Sequence, residues 1–188
     1  AHRFLDENHL LHIEAEEQRQ FTVFYKRILA SFGVADDGDI LASQLADEMV
    51  YRDDKILFYE DVPHELALLS KTYRLAVLSD NWPSARRVLK NAGLLPYLDE
   101  VILSCDYGET KENTRLFEIA IEKLNLKPDE TLFVDDSIGN LDNAKLVGLL
   151  PVLMDRDSTC PECGYPVIHH LGELHGIISG MIPIFSPF

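Results

Sequence analysis

A chain of 188 residues with 46% hydrophobic content can bury one α/β core and a small satellite domain, and it reads as a folded globular protein. Its 32 Asp and Glu against 17 Lys and Arg leave a formal charge of −15, which would repel nucleic acid and anionic membrane surfaces. No run approaches the roughly 20 apolar residues of a membrane span, and the polar start AHRFLDENH is no secretory signal, so the expected compartment is the cytoplasm.

In chain order, residues 3–18 suggest a helix rich in Glu and His, with a thin stripe of Leu5, Leu10, Leu11 and Ile13. His2, His9 and His12 on it read as ordinary surface histidines. Phe21, Phe24, Tyr25, Ile28, Leu29 and Phe32 recur at three- and four-residue spacing before Gly33, as on an amphipathic helix that stops at glycine. Leu41, Leu45 and Met49 predict a further helix after the ADDGD break. Residues 1–60 are thus expected to form a helical domain, and 61–188 a different one.

From about residue 60 the pattern alternates. Asp61-Val62-Pro63 signals a helix start. A strand is predicted at 74–78, a helix at 83–92 stopped by Gly93, a strand at 100–103, and a helix at 112–124. A strand at 131–134, a helix at 140–147 stopped by Gly148, a strand at 150–154, a short strand at Val167 and Ile168, and a helix at 171–179 complete the chain. Strand and helix in alternation predict a doubly wound parallel, Rossmann-like sheet with helices on both faces. Ligands of such sheets sit at the carboxyl ends of the strands.

Three groups of polar residues fall at those ends. Ser79 follows the strand of 74–78, Lys111 lies in the connection after 100–103, and Asp135 and Asp136 follow the buried strand LFV. Each alone has an ordinary explanation: a turn, a solvated lysine, a helix cap. Together, a hydroxyl, an ammonium and two carboxylates able to hold Mg²⁺ are the parts needed to grip a phosphoryl group and neutralise its charge. A response-regulator receiver uses similar parts, but with the acidic pair first in the chain. Neither GxxxxGK[ST] nor GxSxG is present.

With these motifs the sequence resembles the haloacid dehalogenase-like hydrolase superfamily, in the subgroup whose helical cap lies between the first and second motifs. LAVLSDNW matches the strand ending in Ser or Thr, YGETKENTRLFEIAIEKL the lysine motif, and TLFVDDSIGNLDNAKLVGL the acidic motif, with VLMDR as the following strand. The resemblance covers roughly residues 20–180; Glu112 stands where many relatives carry proline. It implies a Mg²⁺-dependent phosphatase of a small phosphorylated metabolite. Ser79 would bond a phosphoryl oxygen, Lys111 would balance charge, Asp136 with Asp135 would hold Mg²⁺, Asn140 would support them, and Asn81 would line the site. The cap of residues 1–60 would cover it.

The family's nucleophilic aspartate, in a DxDGT-like stretch closing the first strand, has no match here; Asp6 in RFLDENHL lacks the apolar run and the Gly-Thr. Either that strand lies upstream of residue 1, or the chain is a non-catalytic phosphate-binding or regulatory relative. A metal-independent dehalogenase is a further alternative, set against the two acids at 135 and 136. An absent first strand would leave backbone groups unpaired along two neighbouring strands, and the apolar tail MIPIF at 181–185 suits an edge better than that slot, because Pro183 lacks an N–H.

A second constellation is Cys160-Pro-Glu-Cys163-Gly, with His169, His170 and His175 behind it. Cys160, Cys163, one of His169 and His170, and His175 could supply the four ligands of a structural Zn²⁺; the alternative is a simple reduced loop. Three cysteines without an export signal fit reduced thiols or a metal rather than a disulfide framework. Cys105 is expected to be half-buried beside the site.

Overall fold

The computed structural model describes residues 2–34, 38–160 and 164–180. Cys163 and the tail at 181–188 lie outside the described residues. The elements run α1 His2–Glu7, α2 Glu14–Ser31, α3 Gly38–Tyr51, α4 Asp61–Leu69, β1 Ala76–Ser79, α5 Ser84–Asn91 and β2 Glu100–Leu103. They continue with α6 Arg115–Leu124, β3 Leu132–Asp135, α7 Ile138–Leu146, β4 Leu150–Met154, β5 Val167–Ile168 and α8 Leu174–Gly180. All strand pairs are parallel, as the alternation predicts.

The described residues divide into two compact units. One holds residues 1–58 and 76–109, the other 59–75 and 110–188. In the first, β1 pairs with β2 in the register Ser79↔Leu103. In the second, β3, β4 and β5 form a sheet in that order, with Asp135 opposite Leu153. Among the described residues, β1 has a strand partner on one side only, and so has β3. Three residues of β2 are buried, whereas no residue of β1 or β3 is.

The predicted helix over 3–18 is broken. The chain leaves α1 after Glu7 and re-enters a helix at Glu14 because the Glu16 carboxylate accepts the N–H groups of His12 and Ile13, at 2.9 and 3.3 Å, and so caps the new start. Between the helices, the Leu11 N–H donates to the Cys105 carbonyl at 2.8 Å. α2 buries Phe21 and Phe24 as its spacing predicts, but α3 turns a different face inward from the one expected. Ala42, Ala46 and Val50 are buried, while Leu41 and Met49 are exposed. Ala46 and Val50 share one cluster with Phe21 and Phe24, so small side chains are what the large aromatics of α2 pack over.

A second cluster in this unit joins Val101, Leu103 and Cys105 to Val77, Leu89 and Leu11. The core of the other unit is Leu69, Val152, Ile168 and Leu174, with Val134 and Ile178 packed on it. There, Gly148 (φ +91°) turns the chain from α7 into β4, and an added Cβ would meet the Pro128 ring at 3.3 Å, so the site demands glycine on two counts.

Candidate active site

In the second unit, β3 carries an apolar run out to Asp135, its last residue, and Ser137 opens α7 as the N-cap. Successive side chains at a strand end point in opposite directions. The two adjacent acids accordingly part company. Asp135 turns inward and both its oxygens are engaged. Oδ2 accepts from Lys111 Nζ at 2.6 Å, and Oδ1 accepts from the Ser137 N–H at 2.9 Å and from Asn140 Nδ2 at 3.0 Å. The side chains of Lys111 and Asp135 are only 12% and 7% exposed, so this ion pair is shielded from water.

Lys111 itself stands in the turn before α6, four residues ahead of Arg115, where Asn143 Nδ2 holds its carbonyl at 2.9 Å. Its ammonium lies 6.0 Å from the Phe133 ring centroid. Asp136 is exposed, and the bonds of the turn go to Asp135 rather than to it. The structure thus joins Lys111, Asp135 and Asn140 into one hydrogen-bonded group with Asp136 at its outer side. A hard, oxygen-seeking cation such as Mg²⁺ fits an exposed carboxylate. Asp136 presents such a carboxylate at the outer side of the group, while Asp135 holds Lys111.

In the first unit, Ser79 closes β1 and is half-buried. Asn81 is exposed, and its Oδ1 accepts the N–H of Trp82 at 2.9 Å, so the side chain shapes the turn. Its backbone N–H donates to Ser104 Oγ at 2.9 Å. Ser79 belongs to one unit and the Lys111 group to the other.

One side chain that the sequence reads as an ordinary surface histidine, and one that it does not single out, matter here. His9 is no free surface histidine: its Nε2 lies 2.5 Å from Ser104 Oγ and its ring meets Trp82 edge-on at 4.7 Å. Ninety-five residues separate His9 from Ser104, and no local pattern announces such a pair. Glu17 is buried at 2% exposure and accepts from the N–H and Oγ of Ser84, each at 2.8 Å, at the start of α5. Burial pushes its carboxyl above the ordinary range, against the opposing pull of the Ser84 bonds. A glutamate in an acidic helix reads as a solvated face, so its role was invisible. Arg87 of α5 is held by Glu14 at 3.0 Å, by Asp53, and by the Val50 carbonyl.

Cys105, expected to be half-buried, is fully enclosed. Burial, with Asp106 beside it, pushes its thiol up to about 12.

The zinc set does not assemble among the described residues, where no group of three His, Cys, Asp or Glu side chains is arranged for a metal. His175 Nε2 pairs with Glu65 at 3.1 Å, His170 with Glu173 at 3.1 Å, and His169 Nδ1 with the Asp155 carbonyl at 2.6 Å. The Cys160 N–H donates to Asp155 at 2.8 Å, while Cys163 lies outside the described residues.

Comparison with known proteins agrees with the strand-end motifs. The sequence profile of the family described as haloacid dehalogenase-like hydrolase matches residues 5–148. Phosphatase MT3486 of Mycobacterium tuberculosis is 29% identical over 149 residues, covering 76% of this chain and 67% of that protein. The GMP/IMP nucleotidase YrfG of Escherichia coli is 31% identical over 110 residues, 58% of this chain and 47% of that one. The crystal structure of a HAD phosphatase from Thermococcus onnurineus superposes with a TM-score of 0.66 at 25% identity, covering 89% of this chain and 92% of that one. The curated relatives it matches are mostly longer: the chain spans from 10% to 67% of their lengths. No helix of the described residues is long and apolar enough to cross a membrane.

Proposed function

Because the chain belongs to the haloacid dehalogenase-like hydrolase family, we propose that it works as a Mg²⁺-dependent phosphatase of a small phosphorylated metabolite. The observation that carries this reading is the division of labour between neighbouring acids: Asp135 is spent on Lys111, at 2.6 Å, which leaves Asp136 exposed as a carboxylate for the cation. When bound, Mg²⁺ supplies positive charge against which a phosphoryl group is held during transfer.

The chain's own groups do the rest. Lys111, fixed by Asp135 and by the Asn143 bond to its carbonyl, offsets negative charge on the transferring group. Asn140 keeps Asp135 in place, so Asp135 orients the lysine rather than binding metal. Ser79, at the end of β1, donates its hydroxyl to a phosphoryl oxygen. The helices α1 to α3 act as the cap that chooses the substrate. The names of the phosphatase and nucleotidase relatives favour phosphoryl transfer over carbon–halogen cleavage, as does the acid at 136.

The nucleophilic carboxylate, which would form an aspartyl-phosphate, is assigned to a strand upstream of residue 1. The support is that RFLDENHL carries no DxDGT pattern and that β1 and β3 each keep one side without a strand partner among the described residues.

The test uses the complete natural protein with p-nitrophenyl phosphate. Turnover is expected with Mg²⁺, is lost on chelation and returns on adding the ion back; Asp136→Asn and Ser79→Ala each lower kcat by roughly 10²-fold. Absence of turnover overturns the phosphatase reading and favours a non-catalytic phosphate-binding relative, whereas turnover indifferent to Asp136→Asn overturns the assignment of the cation to Asp136.

A further inference from the structure

Where the β1–β2 ladder ends, a side chain takes over from the backbone. The last paired residues are Ser79 and Leu103. One step on, Ser104 is fully buried, and its Oγ touches both backbone groups of Asn81: the N–H at 2.9 Å and the carbonyl at 3.3 Å. A third partner, His9 Nε2, stands at 2.5 Å. A hydroxyl has one proton to give and two lone pairs to receive with. All three contacts are satisfied at once when His9 donates from Nε2 and Asn81 donates from its N–H, which leaves the hydroxyl proton for the Asn81 carbonyl. Were His9 the acceptor, that carbonyl would have no donor from Ser104.

His9 is itself held. The Leu11 N–H anchors its segment to the Cys105 carbonyl at 2.8 Å, and Trp82 packs edge-on against both His9, at 4.7 Å, and Phe21, at 5.4 Å. The exit of the chain from β1 is therefore clasped from outside itself, two residues past Ser79.

We propose that Ser104, oriented by His9, is a positioning residue for the Ser79 hydroxyl: by bracketing the N–H and C=O of Asn81 it fixes the direction in which the chain leaves β1. This rests on the phosphatase reading, in which Ser79 acts. A group that acts in the transition state loses on the order of 10²-fold in rate when misplaced by about 1 Å. Ser104→Ala should lower kcat by about 10- to 100-fold, with a KM change of about threefold or less, because the substrate still binds while the hydroxyl is misaimed.

The decisive experiment is a double-mutant cycle in the complete protein with p-nitrophenyl phosphate. If Ser104 works through Ser79, then Ser79→Ala combined with Ser104→Ala is no slower than Ser79→Ala alone. His9→Gln, which keeps a side-chain N–H donor, should retain most of kcat, and His9→Leu should lose it. The emission of Trp82, the chain's one tryptophan, reports that each variant is folded and registers removal of the His9 edge contact. If Ser104→Ala does not fold, His9→Leu against His9→Gln carries the test. The inference is overturned if folded Ser104→Ala keeps kcat within twofold, if the Ser79 and Ser104 losses multiply, or if His9→Leu matches His9→Gln. A parent protein without turnover brings down the phosphatase reading and this inference with it, whereas an active parent with an indifferent Ser104 overturns this inference alone.

Discussion

Replacing Asp135 and Asp136 in turn separates their roles. Asp135→Ala removes three bonds at once: the 2.6 Å ion pair with Lys111 and the acceptor for the Ser137 N–H and for Asn140 Nδ2. Ser137 is exposed and water replaces its partner, so the main cost is the ion pair. Breaking a buried pair from one side costs about 3–5 kcal/mol. Lys111 is shielded at 12% exposure rather than sealed, so the low end applies, about 3 kcal/mol. For a chain of this size that is roughly 6–12 °C in Tm. Asp135→Asn loses the charge but keeps an amide oxygen that can still accept a hydrogen bond from the Lys111 ammonium, so it should fall between, at about 1–2 kcal/mol. Asp136→Ala, at an exposed position, should stay within about 0.5 kcal/mol. Urea unfolding followed by circular dichroism measures all three. Equal costs for Asp135→Ala and Asp136→Ala, or a cost under about 1 kcal/mol for the former, would refute the assignment of the inner carboxylate to the lysine.

Two further outcomes are expected. Glu17→Ala strips the acceptor from the Ser84 N–H and hydroxyl and should cost about 1–3 kcal/mol, while Glu17→Gln costs less. Because burial raises the Glu17 carboxyl above its ordinary 4.5, the folded state holds its proton longer than the unfolded one, so Glu17 favours folding most below that value. Its contribution declines as pH rises through the folded value. Melts from pH 4 to 8 should show a shallower decline for Glu17→Gln than for the parent. Asp61 runs the other way. Burial pushes its carboxyl up, but the Arg156 bond at 2.9 Å and the Leu171 N–H at 2.8 Å outweigh burial and hold it below 3.8. Its stabilisation is present above that value and disappears as pH falls through the folded one, so Asp61→Asn should lower Tm at pH 7 and converge with the parent in acid.

The strands and their polar ends were legible because they obey local rules. A short apolar run closed by turn residues places Ser79 and Asp135 at strand ends without any knowledge of their neighbours. What those side chains then do was not legible. Asp135 and Asp136 read as one acidic pair because adjacency in sequence looks like adjacency in space, yet alternation along a strand drives them apart, and Lys111 claims the inner one. The inward face of α3 was misread for a related reason. Leu41 and Met49 are the bulkier residues, but the aromatics of α2 take the room, and Ala46 and Val50 are what fits beneath. Glu17 and His9 carried no signal at all, since their partners, Ser84 and Ser104, stand 67 and 95 residues away.

The enclosure of Cys105 has a chemical corollary. A thiol pushed up to about 12 holds its proton at any physiological pH, and its complete burial keeps peroxide and alkylating agents from the sulfur. The Leu11 bond to its carbonyl lies over it like a latch. Thiol oxidation among the described residues then falls first on Cys160, the more accessible of the two cysteines there, and the thiol in the unit that contains Ser79 stays unreactive for as long as that unit is folded.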